Sequence, residues 1–104
     1  MKTGSLQGAQ KMAAVAEMAG LPCYGGTLFE GAIALNAGAH LIAATPNISL
    51  GCEFYMPRYM FAPDELEGVV DIRDGFVYPP DGPGLGIEID EDVIEKLAVT
   101  TMTL

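Results

Sequence analysis

The sequence predicts an α/β fold, one side of a parallel (β/α) barrel with about three parallel strands and two helices, followed by a small β-rich tail with a short terminal helix. Three short segments in the first half run into an ionisable side chain, Lys2, Glu30 and Glu53, and two helix-like stretches separate them. Barrel enzymes carry functional groups at the carboxyl ends of their strands, which gives this alternation of strand, polar tip and helix its meaning. The 104 residues supply only about three of the eight strands of a whole barrel, which takes roughly 250 residues. On this reading residues 1–56 form a partial barrel segment and residues 57–104 a C-terminal capping tail.

The first helix is expected over residues 8–19, where Met12, Val15, Ala16 and Ala19 recur at helical spacing and Gly20 supplies the stop. Residues 21–24 are short and apolar and read as a buried strand, with Pro22 near its start, where a missing donor matters least. Gly25 and Gly26 turn the chain into Thr27, which is expected to cap a second helix over residues 28–44, with Glu30 at its third position as the capping-box partner. Pro46 ends that helix, residues 48–52 read as the next strand, and Glu53 falls at its carboxyl end. The spacing from Cys23 to Cys52 fits one strand, loop, helix, strand unit, whose strands should be parallel and whose crossover should be right-handed.

Beyond Phe54, Pro57, Pro63, Pro79, Pro80 and Pro83 break the chain into pieces too short for long helices. Residues 69–72 and 76–78 flank Arg73-Asp74-Gly75, a hairpin signal because Asp-Gly accepts positive φ. Residues 80–86 form a rigid, glycine-punctuated loop, residues 87–90 alternate like a strand, and Asp90 is placed to cap a terminal helix that ends at Leu97.

Half of the residues are hydrophobic, which excludes an intrinsically disordered chain. The net charge of -9, from 14 acidic and 5 basic side chains, argues against nucleic acid as a partner; the acids crowd from Asp64 to Glu95 and read as a solvated surface. The longest apolar run, residues 31–45, is interrupted by Asn36 and His40 and falls short of the roughly 20 residues of a membrane span, so no membrane partner is expected. No basic segment precedes an apolar stretch at the start, and Cys23 and Cys52 fit free thiols in a reducing compartment; a cytoplasmic location follows.

Taken singly, the polar residues are ambiguous. Lys2 alone is a solvated charge, Glu30 fits a helix cap, and Glu53 either faces solvent or points into a cleft. His40, inside an apolar helix, reads as a packing residue with its polar atoms satisfied. Gly82-Pro-Gly-Leu-Gly86 lacks the spacing of a phosphate loop.

In order, Lys2-Thr-Gly, Tyr24-Gly-Gly-Thr-Leu-Phe-Glu-Gly31, Gly51-Cys-Glu53, Asp74-Gly and Gly82-Pro-Gly-Leu-Gly-Ile-Glu-Ile-Asp90 resemble the carboxyl-terminal part of muconate cycloisomerases, members of the enolase superfamily. The resemblance covers essentially the whole chain and implies the C-terminal portion of a (β/α) barrel, from the end of the sixth strand onward. It implies catalytic roles for Lys2, an acid/base or electrostatic group, and for Glu53, a pocket carboxylate at the eighth strand. Glu30 and Thr27 would then lie at the substrate-binding rim. The parent reaction it implies closes cis,cis-muconate, a small dicarboxylate of aromatic-compound catabolism, to a lactone through an enolate that Mn or Mg stabilises.

The family's principal lysine base and its three acidic metal ligands lie upstream of the segments matched here. The chain therefore carries no metal or cofactor of its own on this reading, and in isolation it is expected to be inactive. Plain and chlorinated muconate fit the motifs equally. A dipeptide epimerase or succinylbenzoate synthase fragment is the enzymatic alternative, against which Glu53 and the Tyr24-Gly-Gly-Thr27 segment speak. The non-enzymatic alternative is a self-associating module, a homo-oligomer joined through open sheet edges.

Overall fold

The computed structural model describes residues 2–28, 30–54 and 70–98. Ser5 opens the first helix, α1 (Leu6–Met18), by accepting the Gly8 N–H on its Oγ at 2.9 Å, so the helix starts two residues ahead of the expected 8. Gly20, at φ 69°, ends it as expected: its N–H donates to the Glu17 carbonyl and that of Leu21 to the Ala16 carbonyl, each at 2.9 Å. Ala13 is buried, and Ala9 and Ala16 on the same face are half-buried. Met12 and Val15 stay 62% and 68% exposed, although they carry much of the helical periodicity.

The second helix, α2 (Ala32–Ala43), begins at Gly31, which has no side-chain cap, rather than at residue 28. The expected capping box is absent. The Thr27 hydroxyl donates to the Glu53 carbonyl at 2.8 Å, and the Glu30 carboxylate accepts the Leu28 N–H, which leaves Thr27, Leu28 and Glu30 outside the helix. Leu35, Asn36 and Ala39 form the buried face of α2, and the Asn36 amide donates back to the Ala32 carbonyl at 2.8 Å.

The two segments flanking α2 pair in parallel, as expected from the strand, helix, strand spacing. Cys23 N–H donates to Asn47 O (2.8 Å) and Leu50 N–H to Cys23 O (3.1 Å); Gly25 N–H donates to Gly51 O (2.9 Å) and Glu53 N–H to Gly25 O (3.0 Å). The pairing contains a single bridge, Gly25 with Cys52, instead of two regular strands at 21–24 and 48–52. The reason is a mismatch in advance: from Cys23 to Gly25 the first segment moves on by two positions, while the acceptors opposite move on by four, from Asn47 to Gly51, and the irregular stretch that takes up the two surplus residues ends at Gly51, at φ 91°.

Nor is the 21–24 segment buried, since Leu21 and Tyr24 are 60% and 52% exposed. All four bonds point to one side, so the opposite edge at Pro22 and Tyr24 has no strand beside it among the described residues. Lys2 sits in a turn, and no strand ends on it among the described residues.

The tail hairpin forms as its turn chemistry dictates. Strands β1 (Asp71–Arg73) and β2 (Phe76–Tyr78) pair antiparallel with Arg73 opposite Phe76, and Asp74 and Gly75 turn between them at φ 51° and 79°, the double positive φ that fits the twist of a hairpin. Val69 and the 56/57 segment boundary lie outside the described residues. Residues 87–90 pair with nothing among the described residues and lead into α3 (Glu91–Leu97), where Asp90 Oδ1 accepts from Asp92 N–H at 2.9 Å and Val93 N–H at 3.3 Å.

The core sits where α2, the end of the parallel pair and the hairpin meet: Leu35, Ala39, Phe54 and Val70, with Ile42, Cys52, Ile72 and Val77 packed around them. The glycine loop is drawn to α2 by His40, whose Nε2 lies 3.1 Å from the Leu85 carbonyl, so His40 is a half-buried packing residue with a partner. No helix among the described residues is long and apolar enough to cross a membrane.

Candidate functional site

The core fixes where Glu53 points. Phe54 is buried in the cluster with Leu35 and Ala39, and Cys52 packs partly against the same cluster. Side chains alternate along an extended segment, so anchoring 52 and 54 toward α2 turns Glu53 to the opposite face. Glu53 is accordingly exposed, at the end of the paired segment, where barrel enzymes place their functional groups.

The neighbouring segment end holds it there. Gly25 accepts the Glu53 N–H at 3.0 Å, and Thr27 donates its hydroxyl to the Glu53 carbonyl at 2.8 Å. A Cβ on Gly26 would lie 3.7 Å from Glu53 Oε1, so the carboxylate rests over that glycine. Gly25 itself admits no side chain, because a Cβ there would stand 3.0 Å from Cys52 Cβ and collide with Ile42. Gly25 is thus required by the close approach of the two segments, whereas a Cβ on Gly26 would make only an ordinary contact.

Of the four residues singled out from the sequence, the structure joins Thr27 to Glu53, and Glu30, half-buried like Thr27, folds back on the Leu28 amide. Lys2 is exposed, and no hydrogen bond or ion pair among the described residues links it to the other three.

Sequence reasoning passed over Asn47. Its Nδ2 lies 3.0 Å from Ala13 O, 3.1 Å from Leu21 O and 3.5 Å from Cys23 Sγ. An amide has two protons, so the two carbonyls are its real acceptors and the sulfur is a contact. Asn47 pins the start of the first paired segment to α1 and to the second segment. Its place directly after the helix-ending Pro46 marked a turn, and nothing in the sequence marked a cross-link.

An open apolar crevice of about 550 Å³ lies between α2 and the hairpin, lined by Ala39, Ile42, Cys52, Phe54, Phe76 and Val77 among others. Among the described residues, none of Lys2, Thr27, Glu30 or Glu53 lines it, and its lining there carries no charged side chain. The thiol of Cys52 is pushed above its ordinary value by burial. Both cysteines are free, and among the described residues no group of three or more His, Cys, Asp or Glu side chains stands ready to hold a metal ion.

Parallel segments joined through a helix are the unit of the α/β class of domain, which includes the barrels. Within it, residues 1–93 match the enolase C-terminal domain-like family, and the chain belongs to that family. It is 41% identical over 95 residues to a muconate cycloisomerase of Acinetobacter lwoffii, covering 91% of this chain and 25% of that protein. It is 37% identical over 94 residues to one of Rhodococcus opacus, covering 90% and 25%. A chloromuconate cycloisomerase of Pseudomonas putida is 35% identical over 89 residues, with 86% of this chain and 24% of that protein covered.

The solved structure of a muconate cycloisomerase from Azorhizobium caulinodans superimposes with a TM-score of 0.69 at 55% identity, over 89% of this chain and 26% of that one. The motif resemblance to muconate cycloisomerases is thereby borne out. The chain spans about a quarter of the length of the relatives it matches.

Proposed function

We propose that the chain is the carboxyl-terminal segment of a muconate-type cycloisomerase and supplies one part of its pocket. The observation that carries this reading is the 55% identity to a solved muconate cycloisomerase over 89% of the chain, with a TM-score of 0.69. In the proposed reaction a dicarboxylate closes to a lactone through an enolate. The ammonium of Lys2 offsets the negative charge that develops and moves a proton, while the Glu53 carboxylate accepts hydrogen bonds and orients cationic partners. Glu30 and Thr27 shape the rim. The Mn or Mg ion that the family resemblance implies would stabilise the enolate as a Lewis acid, and no residue of this chain is assigned to it.

The test is to mix the chain with a polypeptide carrying the upstream strands and acidic ligands of a muconate cycloisomerase and follow muconate loss with Mn²⁺. Restored turnover that falls by about 10²-fold or more on Lys2→Ala supports the proposal. Failure of the two pieces to bind, or turnover indifferent to that substitution, overturns it.

A second reading is favoured by a specific surface. The edge at Pro22 and Tyr24, unpaired among the described residues, and the exposed Met12, Val15 and Met18 suit a self-associating, non-catalytic module. Sedimentation showing a compact monomer rules this reading out.

A further inference from the structure

Every polar group of Glu53 lies against one three-residue segment, residues 25–27. Its N–H is held by Gly25 O at 3.0 Å, its carbonyl by the Thr27 hydroxyl at 2.8 Å, and its carboxylate oxygen lies over Gly26, where a Cβ would stand 3.7 Å away. The Gly25 contact is ordinary parallel pairing. The Thr27 contact is not, because it spends a side-chain donor on a backbone acceptor 26 residues away, beyond the last backbone bond of the pairing.

We infer that residues 25–27 form a clamp that sets the direction of the Glu53 carboxylate, and that Thr27 acts as a positioning residue and not as a ligand of the substrate. The inference rests on the reading of Glu53 as a pocket group. A threonine hydroxyl has a single proton. In this structure that proton is taken by the Glu53 carbonyl, which leaves Thr27 only lone pairs to offer. A dicarboxylate is itself acceptor-only, so Thr27 cannot donate to it without releasing Glu53. Fixing the carbonyl between Glu53 and Phe54 stops that peptide from rotating, and Phe54 is buried on its other side. With the backbone at Glu53 held on both its N–H and its carbonyl, the rotamers open to the side chain are those that this fixed backbone allows, and the one observed lays the carboxylate over Gly26.

Two measurements separate this clamp from the cycloisomerase reading. The first uses the full chain alone: Thr27→Val keeps the shape and removes the donor, and Thr27→Ser restores it. NMR on the labelled chain should show the Glu53 side chain held in one rotamer in the parent and in Thr27→Ser, and averaged over several in Thr27→Val, with the fold unchanged by circular dichroism. The second uses the complemented assembly, where Thr27→Val should lower kcat by about 10-fold and leave KM for muconate within about twofold, with Thr27→Ser close to the parent.

Unchanged Glu53 ordering in Thr27→Val, or a raised KM with kcat preserved, overturns the inference, the latter because it marks Thr27 as a substrate ligand. If Thr27→Val fails to fold, Glu53 averaged over rotamers in the parent chain itself overturns it, and a single rotamer in parent and Thr27→Ser supports it. If the assembly never turns over, the cycloisomerase reading fails while the rotamer measurement still decides the clamp.

Discussion

Phe54→Ala tests whether the junction of α2, the parallel pair and the hairpin is what holds the chain together. Phe54 is 6% exposed and packs with Leu35, Ala39 and Val70; its ring tip faces α2 where a Cβ on Gly38 would stand 3.7 Å from it. Truncating a buried Phe to Ala costs about 3–5 kcal/mol, the upper part of that range applying where a sealed void is left behind. Phe54 borders the open crevice of about 550 Å³, so the space it vacates joins solvent-accessible volume and is not sealed. The expected loss is therefore near the lower end, about 3 kcal/mol, or roughly two decades in the unfolding equilibrium.

Urea unfolding followed by circular dichroism measures it, and the dependence on urea should keep its slope while the midpoint falls. Met12→Ala is the control, because Met12 is 62% exposed and its truncation should cost less than about 0.5 kcal/mol. A loss below about 1 kcal/mol for Phe54→Ala, or equal losses for the two variants, would refute the assignment of the core.

Two further outcomes follow from local chemistry. Asp90→Ala removes the acceptor for the Asp92 and Val93 amides and should loosen α3 by about 1 kcal/mol, seen as faster hydrogen exchange at those two amides and unchanged exchange in α2. Burial raises the Cys52 thiol above its ordinary value, so folded and unfolded chains are both protonated well below the ordinary thiol range; as pH rises through that range the unfolded chain ionises first and stability falls until the folded thiol ionises too. Unfolding at about pH 8 and about pH 10.5 should show that decline in the parent, and Cys52→Ala should flatten it.

What was legible in the sequence is what local chemistry decides. The Asp74-Gly75 turn, the Gly20 stop and the Asp90 cap each depend on groups within a few residues, and each formed where the sequence put it. The capping box at Thr27 and Glu30 has the same local form and failed, because a tertiary acceptor competed for the Thr27 hydroxyl. The Glu53 carbonyl, beyond the last backbone bond of the pairing, took it, and α2 then began at Gly31. The burial expected for residues 21–24 failed for a different reason. Hydrophobic composition records that a segment is suited to cover on both sides, while the described residues bond it on one side only, leaving Leu21 and Tyr24 exposed.

The same reasoning ties the candidate site to the core. Glu53 gains its direction from two neighbours whose burial has nothing to do with chemistry: Cys52 and Phe54 turn toward α2, and the alternation of an extended chain sends the residue between them the other way. The clamp from Gly25 and Thr27 then acts on a side chain already on the correct face. Phe54→Ala should consequently disturb Glu53 as well as stability, whereas Thr27→Val should disturb Glu53 with the core intact. Rotamer averaging at Glu53 in Phe54→Ala that Thr27→Val does not reproduce would make the core, and not the clamp, the device that aims the carboxylate.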